Sequence, residues 1–86
     1  MSRFYKVEEV AKLFGVKGEV IFNFVRREWI RPCAHATQEF DSEDIARVKL
    51  ILELIEDFGV NDESVPIILH LIDQLHSLHL EIKNLR

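Results

Sequence analysis

Histidine and carboxylate side chains near the C-terminus are the first candidates for chemistry in this 86-residue chain. Asp73, His76 and His79 follow one another at intervals of three residues, and His70 lies three residues before Asp73. Such spacing brings side chains together on a helix, and imidazole with carboxylate is a ligand set that zinc accepts. These positions also fall on the polar side of the helix, where histidines commonly face water. We therefore expect surface histidines and no metal site.

The remaining reactive side chains give no catalytic arrangement. Cys33 has His35 two residues away, but no third group is placed to orient that histidine. The serines lack a nucleophile-elbow motif, and the three glycines form no phosphate-binding loop. We expect no enzymatic activity and no cofactor.

Cysteine usage and hydropathy indicate the compartment. A single cysteine cannot form an internal disulfide, which fits a reducing environment. The first residues lack the apolar run of a signal peptide, and no segment approaches the roughly 20 apolar residues of a membrane-spanning helix. We expect a cytoplasmic protein.

Charge is divided unevenly along the chain. Residues 1–40 carry seven basic and five acidic side chains, whereas residues 41–86 carry four basic and ten acidic ones. The total of -4 is opposite in sign to that of most nucleic-acid-binding proteins, whose affinity comes largely from Lys and Arg beside phosphates. The acidic half indicates either a basic partner or a need for solubility, and net charge alone leaves both open.

Two short helices separated by a tight turn open the chain. Apolar residues at helical spacing predict a first helix over residues 6–14 and a second over roughly 18–28. Gly15 follows the first helix as a left-handed stop, and the turn continues through Val16 and Lys17. Two short helices joined by a glycine-containing turn of this length are typical of a helix-turn-helix.

A small hairpin, or wing, is predicted after the second helix. Pro32 breaks the helical period, and residues 33–40 lack a helical repeat. Phe40 is expected to pack inward, while Trp29 and Ile30 are expected to anchor the wing to the helices.

A third helix is predicted over residues 43–58. Asp41 is a suitable cap, Asp44 lies in the first turn, and Gly59 ends the helix. The predicted buried face of this helix consists of Ile45, Val48, Ile51, Leu52, Ile55 and Phe58.

A fourth helix is predicted from a cap at Asn61 to the end of the chain, with Pro66 inside its first two turns. Its apolar residues alternate by three and four, as at the a and d positions of a coiled coil. Burying one leucine or isoleucine is worth roughly 1.5–3 kcal/mol, so this stripe needs a cover. A two-stranded coiled coil in a homodimer provides one, and folding back on the same chain is the alternative. We name these residues the leucine seam: Ile68, Leu71, Leu75, Leu78, Ile82 and Leu85.

The sequence thus predicts one all-α domain over residues 1–86, with a short wing hairpin and a long C-terminal helix. Residues 1–60 hold the helix-turn-helix, the wing and the third helix, and residues 61–86 form the helix expected to mediate dimerisation. The absence of repeats and of a low-complexity linker favours a single folding unit.

The order of these elements resembles the MerR-like winged helix-turn-helix domain. The segments that carry the resemblance are VAKLFGV at 10–16, WIRP at 29–32 and FDSEDI at 40–45. In DNA-binding members of that superfamily, the second helix carries an Arg-Tyr pair and the wing carries an Arg two residues before its aromatic. Those places here hold Phe22, Asn23 and Gln38. The resemblance therefore implies the fold without much of its phosphate anchoring.

Within that superfamily, almost the whole chain is similar to the CbpM-like chaperone modulators. They share its length, the acidic Phe-Asp start of the third helix, and a leucine-rich fourth helix written here as IILHLIDQL at 67–75. The resemblance implies binding to the J-domain of a DnaJ-like co-chaperone. Such binding would block access to the DnaK-type chaperone and restrain both the co-chaperone and the DNA-binding activities of the partner. The resemblance also implies that the chain associates with the nucleoid only through that partner.

An acidic surface is the expected contact for such a partner, because a J-domain presents a basic helix and complementary charge speeds association. A solvated helix face is the ordinary role for any one of these acids, and the cluster is the candidate. The candidate residues are Glu53, Glu56, Asp57, Asp62, Glu63 and Asp73.

The sequence is also compatible with two other functions. A MerR-like transcription regulator would contact DNA phosphates through Arg26, Arg27 and Arg31, which remain at the end of the second helix and just beyond it. An orphan dimerisation module would use the leucine seam and have no activity of its own.

Overall fold

The computed structural model describes residues 3–31 and 39–85, and within these ranges the fold is all-α. The helices are α1 (Val7–Phe14), α2 (Gly18–Arg26), α3 (Ser42–Leu52) and α4 (Val65–Asn84). A π-helical turn, Glu53–Asp57, continues α3. The predicted fold class and the order of the helices are confirmed. The predicted wing hairpin falls mainly on residues 32–38, which lie outside the described residues.

Gly15 ends α1 in the predicted left-handed conformation, with φ of 66°. The Gly15 N–H donates to the carbonyl of Lys12 at 3.3 Å, and the Val16 N–H donates to that of Ala11 at 3.0 Å. This pair of bonds satisfies the last carbonyls of α1 and turns the chain sharply into α2. The buried Val10 and Ala11 of α1 then pack in the same core as Ile21 of α2.

The end of α2 repeats this motif with a glutamate in the glycine position. Glu28 has φ of 62°, the one positive φ outside glycine among the described residues. Its N–H donates to the Val25 carbonyl at 2.9 Å, and the Trp29 N–H donates to the Phe24 carbonyl at 3.0 Å. The turn directs Trp29 and Ile30 into the core, where both are buried. The wing that they are predicted to anchor falls mainly outside the described residues. The helix itself ends at Arg26, two residues earlier than predicted.

Phe40 joins the second half of the chain to the N-terminus. Its side chain is fully buried, as predicted, and its backbone forms an antiparallel bridge with Tyr5 through two hydrogen bonds of 2.8 Å. Asp41 then caps α3: its carboxylate accepts the Asp44 N–H at 2.8 Å, and the Asp44 carboxylate accepts the Asp41 N–H at 3.0 Å. This reciprocal cap fixes the direction in which α3 leaves Phe40.

The π-helical turn corrects the predicted buried face of the third helix. The Phe58 N–H donates to the Glu53 carbonyl, five residues back, at 3.1 Å. Because a π-turn takes one residue more than an α-turn, the side chains after Leu52 rotate relative to an uninterrupted α-helix. Phe58 is 74% exposed, so its prediction as a buried residue is wrong, and Leu54, at 9%, is buried instead. Gly59 follows with φ of 65°, as expected for a stop.

α4 contacts the core only through its first turns. α4 begins at Val65 after Ser64, so the prediction of Asn61 as its cap is wrong. Asn61 instead accepts the N–H of Ser64 at 3.0 Å and closes the turn before the helix. Val65 and Leu69 are buried in the core, and Ile68 and Ile72 are half-buried. The remaining members of the leucine seam are each more than half exposed: Leu71, Leu75, Leu78, Ile82 and Leu85. No described helix is long and apolar enough to cross a membrane.

Candidate protein-binding surface

The exposed side of α2 is the surface that a helix-turn-helix would present to DNA. Phe22 is 42% exposed there, and its neighbour Asn23 is also exposed. An aromatic ring and a neutral amide therefore face water where phosphate contact would require cations. Gln38, the third substituted position, lies outside the described residues.

Of the three arginines left near the end of α2, one is engaged within the chain. Arg27 forms an ion pair with Asp62, with Nη1 and Oδ2 3.1 Å apart, and its guanidinium lies 5.1 Å from the centre of the Trp29 ring. Arg26 and Arg31 are exposed, and neither forms an ion pair within the described residues. The cationic surface that these three predicted residues were expected to form is therefore reduced by one charge.

A small groove of about 120 Å³ joins the exposed side of α2 to the π-helical turn. Val20 and Asn23 line it from α2, Ile55 from the π-helical turn, and Asp62 from the loop before α4. Phe24 and Trp29 also line it, and their rings pack at 5.6 Å with a tilt of 33°. The groove thus combines apolar and aromatic side chains with an amide, a carboxylate and the guanidinium of Arg27.

The predicted acidic surface divides into three parts. Glu53, Glu56 and Asp57 share the single π-helical turn, and all three are exposed. Asp62 is held by Arg27, while Glu63 beside it is exposed. The sixth predicted residue, Asp73, lies on α4 in an ion pair with Arg47.

Arg47 binds three acceptor oxygens at once. Its Nε donates to the Trp29 carbonyl at 2.6 Å, and its two terminal nitrogens donate to the two carboxylate oxygens of Asp73 at 3.0 and 3.2 Å. The hydrogen bond from Arg47 holds the pKa of the Asp73 carboxyl below its usual value. Burial opposes this shift, while the charges of Arg47, His70 and His76 add to it. Beside this contact is a cleft of about 510 Å³, which Arg31 and His70 also line.

Comparison with known proteins gives the family. The model of a family described as MerR HTH family regulatory protein matches residues 5–86, which is nearly the whole chain. The chain belongs to the MerR HTH family. That family consists of regulatory proteins and not of enzymes. No curated protein and no solved structure matches the chain.

In this MerR HTH protein, the leucine seam runs along the part of α4 that extends past the core. From Leu71 onward it is not covered by any of the described residues, so folding back on the same chain is not observed among them. Leu80, on the same helix but outside the seam, is also exposed at 45%. In the parts of the chain that the structure describes, no three His, Cys, Asp or Glu side chains are grouped to hold a metal ion, and this includes the histidines of α4.

Sequence reasoning missed the two arginine contacts at this surface. Arg47 and Asp73 are 26 residues apart, and Arg27 and Asp62 are farther apart still. Local periodicity carries no information on such pairs. The only signal was the presence of two arginines next to apolar core positions, which is too common to identify a contact.

Proposed function

We propose that this MerR HTH protein regulates a DnaJ-like co-chaperone in the cytoplasm by binding its J-domain. The observation that carries the proposal is the exposed side of α2, which presents Phe22 and Asn23 where DNA-binding relatives would present an Arg-Tyr pair. A partially exposed aromatic is a frequent anchor in protein interfaces, whereas duplex affinity depends on cations. The resemblance to CbpM-like chaperone modulators supplies the choice of partner.

Charge supports the same partner. The exposed acids of the π-helical turn, Glu53, Glu56 and Asp57, lie on a chain whose second half is strongly acidic. A basic helix of a J-domain complements this surface, and such complementarity raises the association rate and sets specificity. Occupying that basic helix would deny it to the DnaK-type chaperone, which is how binding would inhibit the co-chaperone.

Homodimerisation through α4 is part of the proposal. The exposed members of the leucine seam continue at coiled-coil spacing to Leu85, and pairing with a second copy of α4 would remove them from water. A dimer would present two partner-binding surfaces.

Titration calorimetry with the purified DnaJ-like protein of the same host tests the proposal. We expect saturable binding that weakens with added salt. Glu53→Gln/Glu56→Gln/Asp57→Asn should weaken binding by roughly tenfold, because three rim charges are lost. The matched control Glu8→Gln/Glu43→Gln/Glu81→Gln removes the same charge from exposed positions elsewhere and should change affinity little. No binding at low salt, checked by a second method, would refute the proposal.

The second candidate function is DNA-binding transcription regulation, which family membership and the exposed Arg26 and Arg31 favour. It predicts retardation of promoter DNA with a steep dependence on salt. Arg26→Gln/Arg31→Gln should then reduce the slope of log affinity against log salt by about 2. Unretarded DNA at low salt would leave the J-domain proposal as the better account.

A further inference from the structure

The groove between α2 and the π-helical turn is lined by a cation of the chain itself. Arg27 is one of its lining residues, paired with Asp62 at 3.1 Å and placed over the ring of Trp29 at 5.1 Å. We propose that this groove binds an arginine or lysine from a basic amphipathic helix of a partner protein, and that Arg27 occupies the place of that residue in the free protein. The identity of the partner as a J-domain rests on the proposed function.

The groove has the composition that a long cationic side chain requires. Its lining includes Val20, Ile55 and the paired rings of Phe24 and Trp29, so the methylene stem of an arginine or lysine has apolar surface to cover. The carboxylate of Asp62 at the edge then binds the charged end, and an indole face adds cation-π attraction.

The contact of Arg27 is one that a partner can displace. Both side chains of the ion pair are about half exposed. Exposed pairs of this kind contribute little, since solvent screens them and ordering two long side chains opposes them. A partner that brings its own cation and further contacts can therefore replace Arg27 at small cost.

The surroundings favour a basic amphipathic helix as the occupant. Glu53 and Glu56 are exposed acids of the same π-helical turn that contributes Ile55 to the groove, and their charge attracts cations to the molecule. Phe58, 74% exposed at the end of the same turn, offers an apolar contact that the free protein leaves in water. A segment with cations and apolar residues on one face matches both features.

Arg27 thus acts as an internal competitor, because the binding-competent form is the one in which it has left Asp62. Removing its charge should increase affinity for a basic partner. For duplex DNA we expect the opposite change in affinity, since the loss of Arg27 would weaken contact with phosphate. The direction of this one change separates the two kinds of partner.

The test is a titration of the full chain with two probes: the J-domain of the DnaJ-like protein from the same host, and a 14-residue helical peptide carrying Arg at i, i+4 spacing on a leucine face. Arg27→Gln is compared with Arg26→Gln, an exposed neighbour with the same charge change and no ion pair within the described residues. Asp62→Asn is compared with Glu63→Gln in the same way. Trp29 is the only tryptophan and lines the groove, so its fluorescence reports occupancy in each titration.

We expect Arg27→Gln to bind the probes about threefold to tenfold more tightly than Arg26→Gln, and Asp62→Asn to bind them more weakly than Glu63→Gln by a similar factor. Trp29 emission should change on binding. For a probe that binds, equal affinities within each pair, weaker binding by Arg27→Gln, or unchanged Trp29 emission would overturn the assignment. If neither probe binds, the assignment also fails. If the peptide binds as expected and the J-domain does not, the proposed function fails and the groove assignment stands.

Discussion

Arg47 of α3 binds both carboxylate oxygens of Asp73 of α4, at 3.0 and 3.2 Å, while its Nε donates to the carbonyl of Trp29 at 2.6 Å. One guanidinium therefore ties together α3, α4 and the turn that follows α2. Its planar fork makes this possible, because a lysine ammonium cannot direct donors to three oxygens in this arrangement. The contact holds α4 to the body at Asp73, between the exposed seam residues Leu71 and Leu75.

Asp73→Asn should remove stability that depends on pH. The hydrogen bond from Arg47 lowers the pKa of Asp73 in the folded protein. The stability that this ion pair contributes is therefore present above the ordinary aspartate pKa and is lost as pH falls through the lowered value. At pH 7 the variant should unfold about 0.5–1 kcal/mol more easily, a modest figure because the pair is partly exposed. Urea unfolding should show this difference shrinking below about pH 4. A constant difference down to pH 2 would contradict the role of the ion pair, and Glu81→Gln on the same helix is the control.

Glu28→Gly should stabilise the protein. Glu28 adopts φ of 62°, a conformation that costs a side-chain-bearing residue roughly 1–2 kcal/mol and glycine almost nothing. Glycine also adds entropy to the unfolded chain, which offsets part of this gain. We therefore expect the free energy of unfolding to rise by about 0.5–1 kcal/mol, with a matching increase in the urea midpoint. Glu19→Gly, within α2, should destabilise the protein. A loss of stability in both variants would contradict the left-handed conformation of Glu28.

Leu54→Ala and Phe58→Ala test the π-helical turn. Leu54 is buried and Phe58 is 74% exposed, so the first change should cost about 2–3 kcal/mol and the second less than about 0.5 kcal/mol. An uninterrupted α-helix from 43 to 58 predicts the reverse order. Thermal and urea unfolding of the two variants distinguish these arrangements directly.

Leu78→Gln/Ile82→Gln should convert the proposed dimer to a monomer. Both residues belong to the leucine seam and are more than half exposed, so the changes remove interface contacts without disturbing the core. Sedimentation equilibrium measures the result. Leu80→Gln, similarly exposed on α4 but outside the seam, should leave the dimer intact. A wild-type monomer at all concentrations would refute the dimer.

Much of the fold follows from local sequence, and so does the missing cationic surface. Gly15, Phe40 and Asp41 take the conformations and positions that their types predict, because turn stops, aromatic burial and helix caps depend on nearby residues. The replacement of an Arg-Tyr pair by Phe22 and Asn23 is readable in the same way. The family match over residues 5–86 agrees with this local reading.

Only the tertiary structure decided which surfaces remain free. Continuing the α-period beyond Leu52 predicted a buried Phe58, but the π-helical turn leaves Leu54 buried and Phe58 exposed. Likewise, the composition marked Asp62 and Asp73 as available acids, whereas arginines distant in sequence bind both. The sequence by itself determined the elements and the charge they carry, since both depend on residue type and short-range spacing. Contacts between distant residues determined which of those charges and apolar side chains are left for a partner, because they form only when the helices pack.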